Sequence, residues 1–263
     1  VRMWGQLVHF GWQQALSCLF PALIFVGLLA LKLVHVPGIP AYDLILIYCI
    51  AIQIWMVRSG LETLDELKVI CVFHLIGLAL ELFKVHMGSW QYPQPGWTKL
   101  GGVPLYSGFM YASVASYLCQ AWRRLDVELI RWPRPVWIVP LGAAIYLNFM
   151  THHYIYDFRW VLTGLLFVVF FRTQVVFHVR RVAYRMPLNV SFLLIGFFIW
   201  IAENIGTLLG AWQYPNQQAG WRLVSLGKLS SWGLLVIVSF MIVAQLKHVK
   251  EGLGPSGPAD PGT

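Results

Sequence analysis

Apolar sequence in this chain runs in stretches long enough to cross a bilayer, and there are about eight, near 12–33, 41–57, 67–86, 102–122, 135–153, 159–178, 187–207 and 228–246. Hydrocarbon offers no water to a backbone amide, so such stretches must close their own hydrogen bonds, and about 20 residues of helix cover the distance. The pattern predicts an all-α, polytopic helical membrane protein with about eight transmembrane helices. Only 11% of the residues are charged and mean hydropathy is +0.66, outside the range of soluble domains. The first stretch is too long for a signal-peptide core and is expected to stay as a span. The Gly/Pro-rich residues 251–263 read as a disordered cytoplasmic tail.

Charge predicts an orientation. With alternate loops pooled, twelve Lys and Arg fall on the side of Arg2, Arg123 and Arg180, and six on the side of Lys32, Lys84, Lys99, Arg159, Arg222 and Lys228. The positive-inside bias then predicts a multi-pass protein of the cell's inner (plasma) membrane with both termini cytoplasmic. Membrane lipids, and not nucleic acid, are the expected partners of the net charge of +8. Cys18, Cys49, Cys71 and Cys119 stand singly and read as packing residues.

One motif occurs twice. GSWQYPQPGW begins at Gly88 and GAWQYPNQQAGW at Gly210. Glu81 precedes Trp90 by the same nine residues that separate Glu203 from Trp212, and Tyr92 corresponds to Tyr214. The shared pattern is E-x6-G-x-WQYP followed, after a gap two residues longer in the second copy, by GW and a further span. Residues 1–131 and 132–250 are therefore expected to be two parallel four-helix repeats, related by an axis along the membrane normal. Trp and Tyr suit the membrane interface, which accounts for the residue types but not for the acids. A carboxylate inside an apolar span is costly and usually faces a polar interior. Glu81 and Glu203 are therefore the leading catalytic candidates, with Trp90, Tyr92, Trp212 and Tyr214 lining a substrate site.

The run NFMTHHYIYDFRW, residues 148–160, closes the fifth stretch on the same side. Asn148 with His152, and His153 with Asp157, share helical faces if the helix continues. Imidazole beside carboxylate suits proton relay or, less specifically, a divalent metal held by His152, His153 and Asp157. Asn204, Arg159, His86 and Lys228 are candidate substrate contacts. Lys84 and His86 have no polar counterparts at 206 and 208, so the two halves need not do identical work. Gly206 and Gly210 form a GxxxG pair, a usual sign of close helix packing. Nucleotide-binding, Rossmann, zinc-protease and serine-hydrolase motifs are absent.

The segments ELFKVHMGSWQYPQPGW, NFMTHHYIYDFRWVL and ENIGTLLGAWQYP together resemble the YoaT-like family of bacterial integral membrane proteins of unknown function, over most of the chain. A weaker resemblance runs to small lycopene cyclases and carotenoid hydratases, which share tandem helical units, a Glu, a W-x-Y-like segment and a Gly-x-Pro, here Gly102-Val103-Pro104. Where the cyclases carry a PLEE-like acidic pair, this sequence has Pro104-Leu105-Tyr106-Ser107. The leading functional expectation is an enzyme using buried carboxylates for acid/base chemistry on a lipid or isoprenoid-like apolar substrate. The alternatives are a secondary transporter or channel with the glutamates as its site, and a structural or partner-binding protein.

Overall fold

The computed structural model describes residues 2–252, so most of the expected tail at 251–263 lies outside the described residues. Helices dominate. They are α1 (Arg2–Ser17), α2 (Leu19–Leu33), α3 (Ala41–Arg58), α4 (Leu64–His86), α5 (Ser107–Arg124), α6 (Pro135–Thr151), α7 (Arg159–Val169), α8 (Leu188–Leu208) and α9 (Leu226–Gly252). Four of these, α3, α4, α8 and α9, are long and apolar enough to cross a membrane, or up to five spans if the bent pair α1–α2 is one. Leu75, Leu193 and Phe198 are exposed on them, as lipid-facing side chains would be.

The sequence-based expectation departs from this in three places. The first stretch is not one helix: α1 and α2 meet at 62°. Pro21 lies just past the break and cannot donate to the Ser17 carbonyl, four residues back, with which its ring would collide in a continuous helix. The fourth stretch begins later than expected, because Lys99–Leu100 (β1) and Val103–Pro104 (β2) form a small hairpin. Its two turn residues, Gly101 and Gly102, both have positive φ, at 55° and 85°, which side-chain-bearing residues resist. The sixth stretch is helical only through α7. Gln174–Val179 (β4) and Val182–Pro187 (β5) then form an antiparallel hairpin, completed by Glu128–Ile130 (β3) along β4. The β-branched run QVVFHV fits a pleated strand better than a helix. The protein is therefore mostly helical but not all-α.

Inside, α5 is the most enclosed helix of the first half. It runs against α4 and also touches α1, α2 and α9. It is too polar for a lipid-facing span, burying Ser107, Ser113, Ser116 and Gln120 among its small residues. Close approach of α4 depends on Gly77, where an added Cβ would lie 2.3 Å from Tyr111. In the second half α9 packs along α8 and also meets α5, α6 and α7. The ends of α4, α6 and α8 and the starts of α5, α7 and α9 gather on one side, which is where the polar residues of interest converge.

Candidate functional site

The repeated motif works by folding the chain back on its own helix. Helix α4 stops with a pair of reversing hydrogen bonds: Gly88 N–H donates to Val85 O and Ser89 N–H to Lys84 O, each at 3.0 Å. Gly88, at φ 68°, takes the left-handed position this ending requires. The chain then returns so that Trp90 and Tyr92 reach Glu81, two turns back in the helix. Trp90 Nε1 and the Tyr92 hydroxyl both donate to Glu81 Oε2 at 2.7 Å, and the Tyr111 hydroxyl of α5 donates to Oε1 at 2.8 Å. Glu81 is 2% exposed. Both its oxygens are engaged, so the carboxylate pins the WQYP segment and α5 to α4.

The second copy repeats the ending and then diverges. Gly210 N–H donates to Thr207 O and Ala211 N–H to Gly206 O, with Gly210 at φ 80°. Tyr214 donates to Glu203 Oε1 at 2.6 Å, the counterpart of the Tyr92 bond. Trp212, however, lies over Gly206, where an added Cβ would come within 2.6 Å of its ring. The small residue at 206 thus admits an indole, not a neighbouring helix. Glu203 is 5% exposed, and its Oε2 has no hydrogen-bond partner among the described residues. The two WQYP segments meet directly: Gln91 and Gln213 exchange backbone hydrogen bonds at 3.0 and 2.9 Å and pair through their side chains at 3.1 Å.

Beside Glu203 lies a basic cluster. Lys228, in the first turn of α9, places its ammonium 4.7 Å from the Tyr214 ring centre and interacts electrostatically with Glu203. Lys84, 1% exposed, lies 3.2 Å from His153 Nε2 and 3.9 Å from the Phe149 ring centre. Partial desolvation of an otherwise exposed ring and then the neighbouring Lys84 charge hold the His153 imidazole below its ordinary pKa, so at neutral pH its Nε2 accepts from the ammonium. Arg159 donates to Asp157 through Nε at 2.6 Å and to Gly227 O at 3.1 Å, tying the start of α7 to that of α9. Burial opposes ionisation of Asp157, but hydrogen bonds from Arg159 and Asn148 outweigh it and hold the carboxyl at about 2.

Some candidates are not brought together as a metal site would need. The helix ends at Thr151, so His153 and Asp157 do not share a helical face. The His152 and His153 rings lie 4.1 Å apart, with His152 Nδ1 turned to the carbonyls of Asn148 and Phe149. Asp157 is committed to Arg159 and Asn148. No group of three His, Cys, Asp or Glu converges on a metal position among the described residues. His86 is exposed and outside the cluster. Asn204 holds backbone: it donates to Trp200 O and accepts from Val224 N–H, fixing the approach to α9.

Three further buried acids escaped the sequence reading. Asp43 accepts from Trp97 N–H at 2.8 Å and from Thr98 N–H and Oγ1 at 2.9 and 2.5 Å, anchoring the loop after the first WQYP. On the opposite side Glu62 accepts from Gln53, Ser116 and Gln120, and Glu66 pairs with Arg123 at 3.0 Å. Asp43 could have been found by the criterion that picked out Glu81, an acid within an apolar run. Tyr111 and Lys84 become significant only through tertiary placement.

Fold and site together define a helical protein of membrane type with buried carboxylates and a basic cluster gathered at one end. Residues 6–240 match the family described as a protein of unknown function, DUF817, and the chain belongs to that family. It is 68% identical, over 251 residues and 95% of each chain, to the uncharacterized protein YoaT of Bacillus subtilis (strain 168). No solved structure matches.

Proposed function

We propose that the protein is an integral membrane enzyme in which Glu203 performs acid/base chemistry on a lipid-like or other apolar substrate near the outer face of the inner membrane. The observation that carries this reading is the free oxygen of Glu203, a buried acid held through its other oxygen by Tyr214. A group fixed at one oxygen and open at the other is oriented to exchange a proton with a bound molecule. Lys228 supports the charged form, and His153, neutral at pH 7, is a second proton acceptor nearby. Glu81 takes the positioning role, since three donors occupy it. Trp90, Tyr92, Trp212 and Tyr214 then shape the site more than they contact substrate.

The proposed architecture is eight membrane segments in two parallel repeats, 1–131 and 132–250, with both termini cytoplasmic. Reciprocal pairing of Gln91 with Gln213 supports it, because equivalent residues on a two-fold axis bond to each other. Helix partners support it too: α2 meets α3 and α5, as α6 meets α7 and α9.

The test is lipid and metabolite profiling of cells and medium separately, with wild type, Glu203→Gln or no protein expressed. A chemical species made by wild type and lost in Glu203→Gln is expected. A known compound that only moves between cell and medium would replace the enzyme by a transporter. Identical profiles in all three would remove both readings.

A further inference from the structure

We infer that Lys84 and Lys228 form a receptor for a phosphate-type oxyanion, with His153 and Ser89 orienting the Lys84 ammonium, so that the substrate bears a phosphate group. This specifies the ligand of the site proposed above and rests on that reading for its link to chemistry.

Lys84 carries the argument. Its ammonium is enclosed at 1% exposure, and none of the ion pairs among the described residues includes it. Its contacts are a neutral imidazole nitrogen at 3.2 Å and an aromatic face at 3.9 Å. These return part of the desolvation cost of a buried cation but do not neutralise it. The environment adds positive charge, since Lys228 and Arg159 both act on Lys84 electrostatically. Asp157 is the opposing acid in reach, and it is engaged by Arg159. With that pair closed, two ammonium groups remain against Glu203, an excess of one positive charge, or two when Glu203 is protonated. A phosphate monoester or diester supplies one to two negative charges at neutral pH.

The donors suit a tetrahedral ligand because they arrive from separate elements. Lys84 comes from the end of α4 and Lys228 from the first turn of α9, while His153, from the segment after α6, holds the Lys84 ammonium through Nε2, with the Ser89 hydroxyl 3.3 Å from the same nitrogen. Helices α7 and α9 both begin here, and helix amino ends favour anions. A small cavity adjoins the cluster, with room for little more than a water molecule; Ile145, Phe149, Leu234 and Leu235 line it, with His152 and Arg159 at its polar end.

The experiment uses full-length protein in nanodiscs of neutral lipid. One arm titrates inorganic phosphate at constant ionic strength against a chloride control and follows thermal unfolding. The other measures by native mass spectrometry the retention of phosphatidic acid against phosphatidylcholine. Wild type and Glu203→Gln should both bind, whereas Lys84→Met and Lys228→Met should each weaken binding at least tenfold. Retention of phosphatidic acid identifies a lipid headgroup as the source, and stabilisation by phosphate alone identifies a soluble phosphate compound. Because Lys228 is only half-buried, its variant keeps the test decisive if Lys84→Met fails to fold. No preference of wild type for either phosphate probe, or undiminished binding in Lys228→Met, overturns the inference. Phosphate binding without any Glu203-dependent product would remove the proposed chemistry and leave the anion site standing. A Glu203-dependent product without anion binding would remove the anion site alone.

Discussion

Replacing each buried glutamate by leucine should cost very different amounts, although the two occupy the same place in the repeated motif. At Glu81 the change strands three donors, Trp90 Nε1–H and the hydroxyls of Tyr92 and Tyr111. A buried donor left without a partner costs about 1–3 kcal/mol, so Glu81→Leu is expected to lose roughly 3–9 kcal/mol. At Glu203 the same change strands one donor, Tyr214, and also removes an oxygen that has no partner, so roughly 0–2 kcal/mol is expected. Glutamine separates hydrogen bonding from charge. The Trp90 N–H can only donate, so in Glu81→Gln the amide oxygen must take the Oε2 position, leaving the NH2 group toward Tyr111. A phenol can accept as well as donate, so the network closes again, and Glu81→Gln should cost no more than about 1–3 kcal/mol. Equilibrium unfolding in mixed micelles, followed by tryptophan fluorescence, measures all three. Equal losses for the two leucine variants, or a glutamine variant as damaged as Glu81→Leu, would refute this assignment of a positioning acid and an open one.

Other expectations follow from the surrounding contacts. Asp43→Ala, which removes three hydrogen bonds to the Trp97–Thr98 segment, should destabilise the protein by about 2–4 kcal/mol in the same unfolding assay without changing which compounds the cells make. Gly77→Ala should cost about 1–3 kcal/mol by driving a methyl into Tyr111, and a Tyr111→Ala background should relieve only part of that cost, because the residue 111 Cβ itself lies 2.5 Å from the added methyl. Asp157 has its pKa lowered to about 2, so its stabilisation is present above the unfolded carboxyl range and is lost as pH falls through that range toward 2. The stability difference between wild type and Asp157→Asn should therefore hold steady from neutral pH to about 4 and shrink below it.

The Glu, Trp and Tyr of each motif could be read from spacing because their geometry is local. A helix ending with a left-handed glycine reverses the chain, which brings residues nine and eleven positions on back toward the acid. Membrane character was equally legible, since span-length apolar helices show directly in composition. What spacing could not show was that the copies differ: Trp90 donates to its glutamate, whereas Trp212 lies on Gly206. That choice depends on the glycine and the loop packed around it. The hairpin of β4 and β5 was hidden because a short apolar run such as QVVFHV has the same hydropathy as a buried helix segment. The basic cluster joins residues up to 144 positions apart in sequence, from Lys84 to Lys228, and no local pattern announces it.

The proposed repeat makes a last, sharper prediction about why Glu203 is open. Beyond the longer gap of the second copy, Trp97 aligns with Trp221, and the same offset carries Tyr111 onto Leu235. The first copy therefore closes its acid with a phenol from the following span, and the second has a side chain there that cannot donate. Leu235 is buried and lines a cavity of about one water, with Phe149 and Arg159 across it, so a larger residue must displace its neighbours. Leu235→Tyr should bring a hydroxyl to Glu203 Oε2. A hydrogen bond to a charged group contributes about 1.5–3 kcal/mol, against an overpacking penalty of about 1–3 kcal/mol, so stability should change little. Turnover should fall toward that of Glu203→Gln, because the open oxygen is then occupied as it is in Glu81. Leu235→Phe fills the same volume without the hydroxyl and should retain more activity. If the Tyr and Phe variants behave alike, the loss comes from filling the cavity, and the open oxygen of Glu203 is not what sets the second copy apart.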